Sequence, residues 1–119
     1  MVQVNLATDA TRAVRLARAS SRDDTALRTL VALDELALQI AAGRAFLNFC
    51  EAPVAFAPTY KLDPNSDRYD STPKRRVPAW TDRVLFSPDG LAPYEYKSVP
   101  GARGSDHRPV YGKFCALIE

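Results

Sequence analysis

The 119-residue sequence holds one histidine, one tryptophan and two cysteines. Each scarcity removes a class of function. Cys50 and Cys115 stand apart among apolar neighbours with no metal-ligand spacing. That excludes a disulfide framework and a cysteine-rich zinc site, and both are expected as buried free thiols in a reducing compartment. No apolar run approaches the roughly 20 residues of a membrane span. No secretory pattern opens the chain, so an intracellular, cytoplasmic location is expected. A strong excess of one charge is also missing. The net charge is +2, too small by itself to imply a nucleic-acid partner.

What is present suits one soluble domain: 46% apolar and 25% charged residues. A chain of this length hides roughly two-thirds of its unfolded surface. Residues 1–6 read as an extended tail. Thr8 and Asp9 then predict a helix start, with a helix running to Ala19. Its Arg12, Arg15 and Arg18 line one face, which reads as solvated surface rather than a phosphate contact. Ser21 with Asp24 resembles a capping box and opens a helix from Asp23 to about Ala42, stopped by Gly43. Its broad apolar stripe, including Leu27, Leu30, Val31 and Leu38, predicts a well-buried helix. Asp34 and Glu35 on that helix read as surface residues or partners of a basic side chain, not as metal ligands.

Strand patterns follow at Val54–Ala57, Arg83–Phe86, Leu91–Val99 and Pro109–Ile118, with a turn at Ser87-Pro88-Asp89-Gly90. In the third of these, Tyr94, Tyr96 and Ser98 are expected on one face. Residues 62–76 are rich in Pro, Asn, Asp and Ser and form a long loop. Such a loop inside a compact domain is usually functional or disordered. Tyr60 and Tyr69 can anchor it, and Lys61, Lys74, Arg75 and Arg76 bracket it with positive charge. The order is helices first, then strands, which is an α+β class.

Two late blocks concentrate polar chemistry. Asp82 and Asp106 stand at presumed strand mouths, and His107, the sole imidazole, adjoins one of them. A carboxylate-bound imidazole can orient water, bind a phosphate oxygen or shuttle a proton. An Asp can contribute to a Mg2+ site shared with waters and substrate phosphate. With Lys61, Lys74 and Arg76 as anion receptors, the suggested reaction class is phosphoryl transfer. A purely structural histidine is the competing reading of the same residues.

Three blocks carry a resemblance: Phe56-Ala57-Pro58-Thr59-Tyr60-Lys61, then Lys74-Arg75-Arg76-Val77-Pro78-Ala79-Trp80-Thr81-Asp82-Arg83-Val84-Leu85, then Ser105-Asp106-His107-Arg108-Pro109-Val110. Their wording, order and spacing resemble the inositol polyphosphate 5-phosphatase family. The resemblance covers about residues 25 to 119. It implies a DNase I-like fold, two packed β-sheets flanked by helices. It also implies Mg2+-dependent hydrolysis of the 5-phosphate of phosphoinositides or soluble inositol polyphosphates, with at most peripheral contact to a membrane. By motif position His107 is similar to the catalytic imidazole, Asp82 to its orienting partner, and Asp106 to a residue supporting the metal-and-water site. Tyr60, Lys61, Lys74 and Arg76 resemble receptors for the neighbouring 4-phosphate. Arg75 matches no assigned role. Trp80 is expected to pack, and Arg83 and Arg108 to brace loops.

The family's upstream metal-binding Glu, second catalytic His and Gly-Asp-Leu-Asn block have no counterpart in residues 1–119. Asn5 is not preceded by Gly-Asp-Leu. The resemblance therefore implies the C-terminal portion of a catalytic domain, whose missing N-terminal part is a partner. It implies that Asp106 is a partial or indirect metal contact, and that the isolated chain is inactive. A non-catalytic phosphoinositide binder is the alternative. A nuclease of the same fold is disfavoured by the compact set of cations, and no nucleic-acid partner is expected.

Overall fold

The computed structural model describes residues 6–118. Three helices precede two strands: α1 (Leu6–Ser20), α2 (Asp24–Val31), α3 (Glu35–Ala41), β1 (Leu91–Ser98) and β2 (Val110–Ala116). The extended tail expected for residues 1–6 lies mostly outside the described residues. Its last member, Leu6, already belongs to α1, so Thr8 is inside that helix and does not cap it.

The expected helix from Asp23 to Ala42 is two helices. The cause is Asp34. Its backbone is extended, and its carboxylate accepts the Ala37 amide at 2.9 Å, capping α3. The same carboxylate accepts Arg83 Nη1 at 2.9 Å. A cap plus a tertiary ion pair outweighs the helix preference of the sequence around it. The cap of α2 is Asp23, which accepts the Thr25 amide at 2.9 Å, not Ser21. Asp24 instead pairs with Arg28 one turn on. Only α2 is buried as expected, through Ala26, Leu27 and Leu30. No residue of α3 is buried, and Leu33 in the break is 68% exposed.

β1 and β2 form an antiparallel pair, from Leu91 opposite Ala116 to Ser98 opposite Val110. The turn before β1 is where it was expected, and Gly90 takes the positive φ of +84° that a side chain disfavours. The register shifts between Pro93 and Glu95. This bulge turns Tyr94 outward while Tyr96 is buried, so the two do not share a face as alternation implied. The other two expected strands are not regular. Val54–Ala57 lies between Pro53 and Pro58, which lack amide donors. In Arg83–Phe86 only Phe86 pairs, with Cys50, because the Val84 amide is taken by the Tyr96 hydroxyl at 3.1 Å. Cys50 and Cys115 are exposed, not buried. Cys115 stands on an edge of a two-stranded sheet and Cys50 on an isolated bridge, where neither side chain is covered.

The core lies between the α1–α2 pair and the segments that follow. Ala17, Leu27 and Leu30 meet Leu62, Tyr69 and Trp80, with Val14, Val54 and Phe56 at its margin. The helices thus support the motif-bearing segments from behind. Trp80 packs as expected, and its indole donates to the Phe56 carbonyl at 2.9 Å.

A second anchor is Arg83, whose guanidinium is 7% exposed. It donates to Glu51 Oε1 and Oε2 at 2.6 and 2.7 Å and to Asp34. Burial opposes its charge, but the bonds from Glu51 and Asp34 outweigh that and hold its pKa above the ordinary value. Glu51 also accepts the Tyr96 hydroxyl at 2.6 Å. Burial, followed by that bond, raises the Tyr96 pKa to about 12. Removing Arg83 strands two carboxylates that are 10% and 11% exposed. Arg83→Met is expected to cost about 3–5 kcal/mol of stability, and Glu51→Gln clearly less. Urea unfolding followed by near-ultraviolet circular dichroism measures both; equal small losses would contradict the assignment.

Candidate functional site

The three sequence blocks become neighbours through backbone pairing. Tyr60 and Ala79 exchange amide–carbonyl bonds at 3.1 and 2.9 Å. On the other side, the Leu62 amide donates to the Asp106 carbonyl and the Arg108 amide to the Thr59 carbonyl, both at 2.9 Å. Residues 59–62 therefore lie between the Trp80 block and the His107 block. Pro58, Pro78 and Pro109 keep each pairing short. Arg108, buried, donates to the Ser66 and Ser105 carbonyls and sits 3.6 Å from Asp67. It braces loops, as Arg83 does.

At the mouth of this arrangement His107 Nδ1 lies 2.5 Å from Asp82 Oδ2. The carboxylate makes Nδ1 the protonated nitrogen, so Nε2 is left to face a ligand. The Thr81 hydroxyl lies 3.3 Å from the same carboxylate oxygen and 3.4 Å from Nδ1. Nε2 makes no hydrogen bond among the described residues, with Asp106 Oδ1 at 3.9 Å. The Tyr60 ring walls the imidazole, with centroids 4.7 Å apart. The dyad is open: the His107 and Asp82 side chains are 40% and 52% exposed.

Lys61 follows Tyr60 in sequence and is held through Asp70. Its Nζ lies 3.8 Å from Asp70 Oδ2, whose carboxylate also accepts the Arg76 amide at 2.8 Å and, through Oδ1, the Thr72 amide at 2.9 Å. Asp70 thereby folds Thr72–Arg76 into a turn that carries Lys74, Arg75 and Arg76. Arg75 sits there with φ of +40°, which makes it a turn residue. Hydrogen bonding from Thr72 and then from the Arg76 amide pulls the Asp70 pKa down to about 2, against burial and with help from Lys61. Asp63 holds the start of the loop by accepting the amide and hydroxyl of Ser71 at 3.2 and 2.6 Å. The buried Tyr69 hydroxyl donates to the Pro58 carbonyl at 2.7 Å, and burial raises its pKa.

The structure thus brings together His107, Asp82, Asp106 and Tyr60. Lys61 and the Arg76 backbone meet on Asp70. Lys74 and the Arg76 side chain stand on the exposed turn and make no contact with the imidazole among the described residues. Sequence reasoning missed Asp70, Glu51 and Thr81. Asp70 had a signal: an Asp before Ser-Thr-Pro favours bonding to the amide two residues on. Glu51, an acid in an apolar stretch, signals a buried partner.

The donor set for a divalent cation is incomplete. Among the described residues no group of three or more His, Cys, Asp or Glu side chains could hold a metal ion. Asp82 is engaged by His107, which leaves Asp106 as one carboxylate, too few for Mg2+.

The Endonuclease/Exonuclease/phosphatase family 2 pattern matches residues 6–113, and the chain belongs to that family. It is 47% identical over 92 residues to inositol-1,4,5-trisphosphate 5-phosphatase 1 of Schizosaccharomyces pombe, a match covering 77% of this chain and 8% of that protein. It superposes on the inositol polyphosphate 5-phosphatase domain of SPsynaptojanin, in complex with inositol (1,4)-bisphosphate and calcium ion, with a TM-score of 0.70 and 46% identity. That match covers 74% of this chain and 26% of the other. The ferrous NO complex of Cimex nitrophorin gives a TM-score of 0.73 at 33% identity, over 98% of this chain and 38% of the other. The expected α+β class and the resemblance to inositol polyphosphate 5-phosphatases are therefore borne out. No helix among the described residues is long and apolar enough to cross a membrane.

The Asp70 turn has a testable titration. Its folded pKa lies below the unfolded value near 3.8. The stability it contributes is complete above the unfolded pKa and is lost as pH falls through the folded one. Melting temperature should drop between about pH 4 and pH 2. Asp70→Asn is expected to lower stability at neutral pH and to flatten that acid limb. An unchanged limb in the variant would show that other carboxylates cause it.

Proposed function

We propose that this chain carries the phosphate-recognition and proton-transfer part of a Mg2+-dependent phosphatase acting on the 5-phosphate of phosphoinositides or inositol polyphosphates. The observation that supports it most is the open imidazole of His107, held at Nδ1 by Asp82 while Nε2 makes no hydrogen bond among the described residues. An imidazole so held can donate to or accept from a phosphate oxygen at Nε2, while Asp82 stabilises the charged form. Tyr60 lies against it, Lys61 follows Tyr60 in the chain, and Lys74 and Arg76 extend positive charge along the Asp70 turn. We assign these four to the 4-phosphate. A fixed cation held at one end by a buried carboxylate is preorganised for a second anion. Contact with a membrane in this reading is peripheral.

Of the carboxylates described beside the imidazole, Asp106 is the one not bonded to it, and we assign it a partial or indirect metal role. The described residues do not complete a Mg2+ site. The principal ligands in this reading come from polypeptide outside residues 1–119, and the chain by itself is inactive. This supports treating residues 1–119 as the C-terminal portion of a two-sheet catalytic domain. The same donor shortage favours a second reading, a phosphate binder without turnover. The likeness to a nitrophorin is a reminder that this fold does not fix an activity.

Phosphate release separates the two readings. In an active protein carrying this segment, His107→Ala is expected to lower kcat by at least ~10²-fold while substrate still binds. Asp82→Asn should have a smaller effect. Full kcat in the His107 variant would remove the catalytic role from this imidazole, whereas no phosphate release from the unaltered protein would leave the binding reading.

Lys61→Ala and Arg76→Ala are expected to raise KM more for a 4,5-bisphosphate than for a substrate phosphorylated only at position 5. Equal losses on both substrates would mean that these cations act on the protein's general charge and not on the 4-phosphate.

A further inference from the structure

A groove of about 1290 Å³ runs between α1 and the loop of residues 68–77. Arg15, Arg18 and Arg22 line one side; Arg68, Lys74 and Arg75 line the other. All six are exposed, and none forms an ion pair among the described residues. Among the described residues of the lining the one carboxylate is Asp70, already satisfied by the Thr72 and Arg76 amides and by Lys61. Like charges facing one another across a gap repel, so the groove is stabilised by an anionic occupant. Arg12, on the same helix, is not part of the lining. Arg15 and Arg18, three apart, stand on one stripe of α1, and Arg22 follows in the turn just after that helix.

We infer that this groove is a second anion-binding surface, distinct from the His107 dyad, and that its occupant is the headgroup layer of an anionic phospholipid bilayer. Three observations favour a bilayer over a discrete soluble ligand. The groove exceeds the ~300–1,000 Å³ of pockets that enclose small ligands. Its cations stand on two walls of the groove and all of them are exposed to solvent. It also shares Lys74 and Arg76 with the proposed substrate-phosphate arm, so a lipid headgroup entering that arm brings its neighbours to the groove. Juxtaposed lysines and arginines each add about 1 kcal/mol of attraction to anionic lipid, and the effect is screened by salt. The inference deepens the peripheral membrane contact of the proposed function, but does not need turnover.

The test is sedimentation of the full chain with phosphatidylcholine vesicles containing about 30% phosphatidylserine, an order-of-magnitude match to an anionic leaflet, and no phosphoinositide. Arg15→Ala/Arg18→Ala/Arg75→Ala is expected to weaken binding on the order of 100-fold. Replacing the same three by Lys should restore it, because a bilayer responds to charge and not to guanidinium geometry. A control with equal charge loss outside the groove, Arg12→Ala/Arg28→Ala/Arg44→Ala, should bind far better than the groove variant. Equal losses in the two Ala variants would overturn the inference, as would an absence of vesicle binding by the unaltered chain. Saturable binding of soluble inositol hexakisphosphate, lost in both the Ala and Lys groove variants, would overturn it in favour of a discrete ligand. Phosphate release from a 4,5-bisphosphate, assayed separately, reports on the catalytic reading alone.

Discussion

The buried guanidinium of Arg83 is the interaction on which the rest of this structure depends. It joins four segments that are distant in sequence: the cap of α3 through Asp34, the entry to the motif region through Glu51, β1 through the Tyr96 hydroxyl on Glu51, and the residue directly after Asp82. A charge this deeply placed is tolerated only when its donors are met by oxygen. Here two carboxylates and the Trp80 carbonyl meet it. The position of Asp82, and through it of the imidazole, is inherited from the buried charge cluster around the residue that follows it.

Charged side chains in this molecule fall into two sets with opposite physics. Arg83, Arg108, Asp34, Glu51 and Asp70 are enclosed, paired and structural. Lys74, Arg75, Arg76 and the arginines of α1 are exposed and lack carboxylate partners among the described residues. The sets meet at Asp70, whose carboxylate is spent on two amides and on Lys61. A carboxylate consumed in this way shapes the basic turn without cancelling the charge that the turn presents. A free Asp at the same point would have neutralised it.

Those two sets also explain how much was legible in the sequence. The candidate residues His107, Asp82, Asp106 and Tyr60, which the structure brings together, stood out in the sequence because their types are tied to their chemistry: one imidazole next to a carboxylate, an aromatic beside a lysine. The strands β1 and β2 were readable because alternation and the Pro-Asp-Gly turn are local signals. The break at Asp34 was not readable. Its cause is Arg83, 49 positions away, and propensity over a window does not register a partner at that distance. The Val84 amide shows the same limit, since a tyrosine hydroxyl on another strand takes the donor a strand ladder would have used.

The exposure of Leu33, Leu38, Phe46 and Leu47 follows from a related cause. Their apolar pattern predicts burial, and the same pattern in α2 is buried against Leu62 and Trp80. The difference is not in the residues but in what stands opposite them. α2 faces the motif segments, whereas the described residues offer α3 no facing layer. The chain spans 26% of the SPsynaptojanin domain structure it matches. The site-bearing half of the core, around Trp80, Leu62 and Tyr69, is nevertheless closed by elements of this chain. The His107–Asp82 pair and the basic turn are thereby supported from within residues 6–118. The packing that holds these groups is physically separable from whatever covers α3.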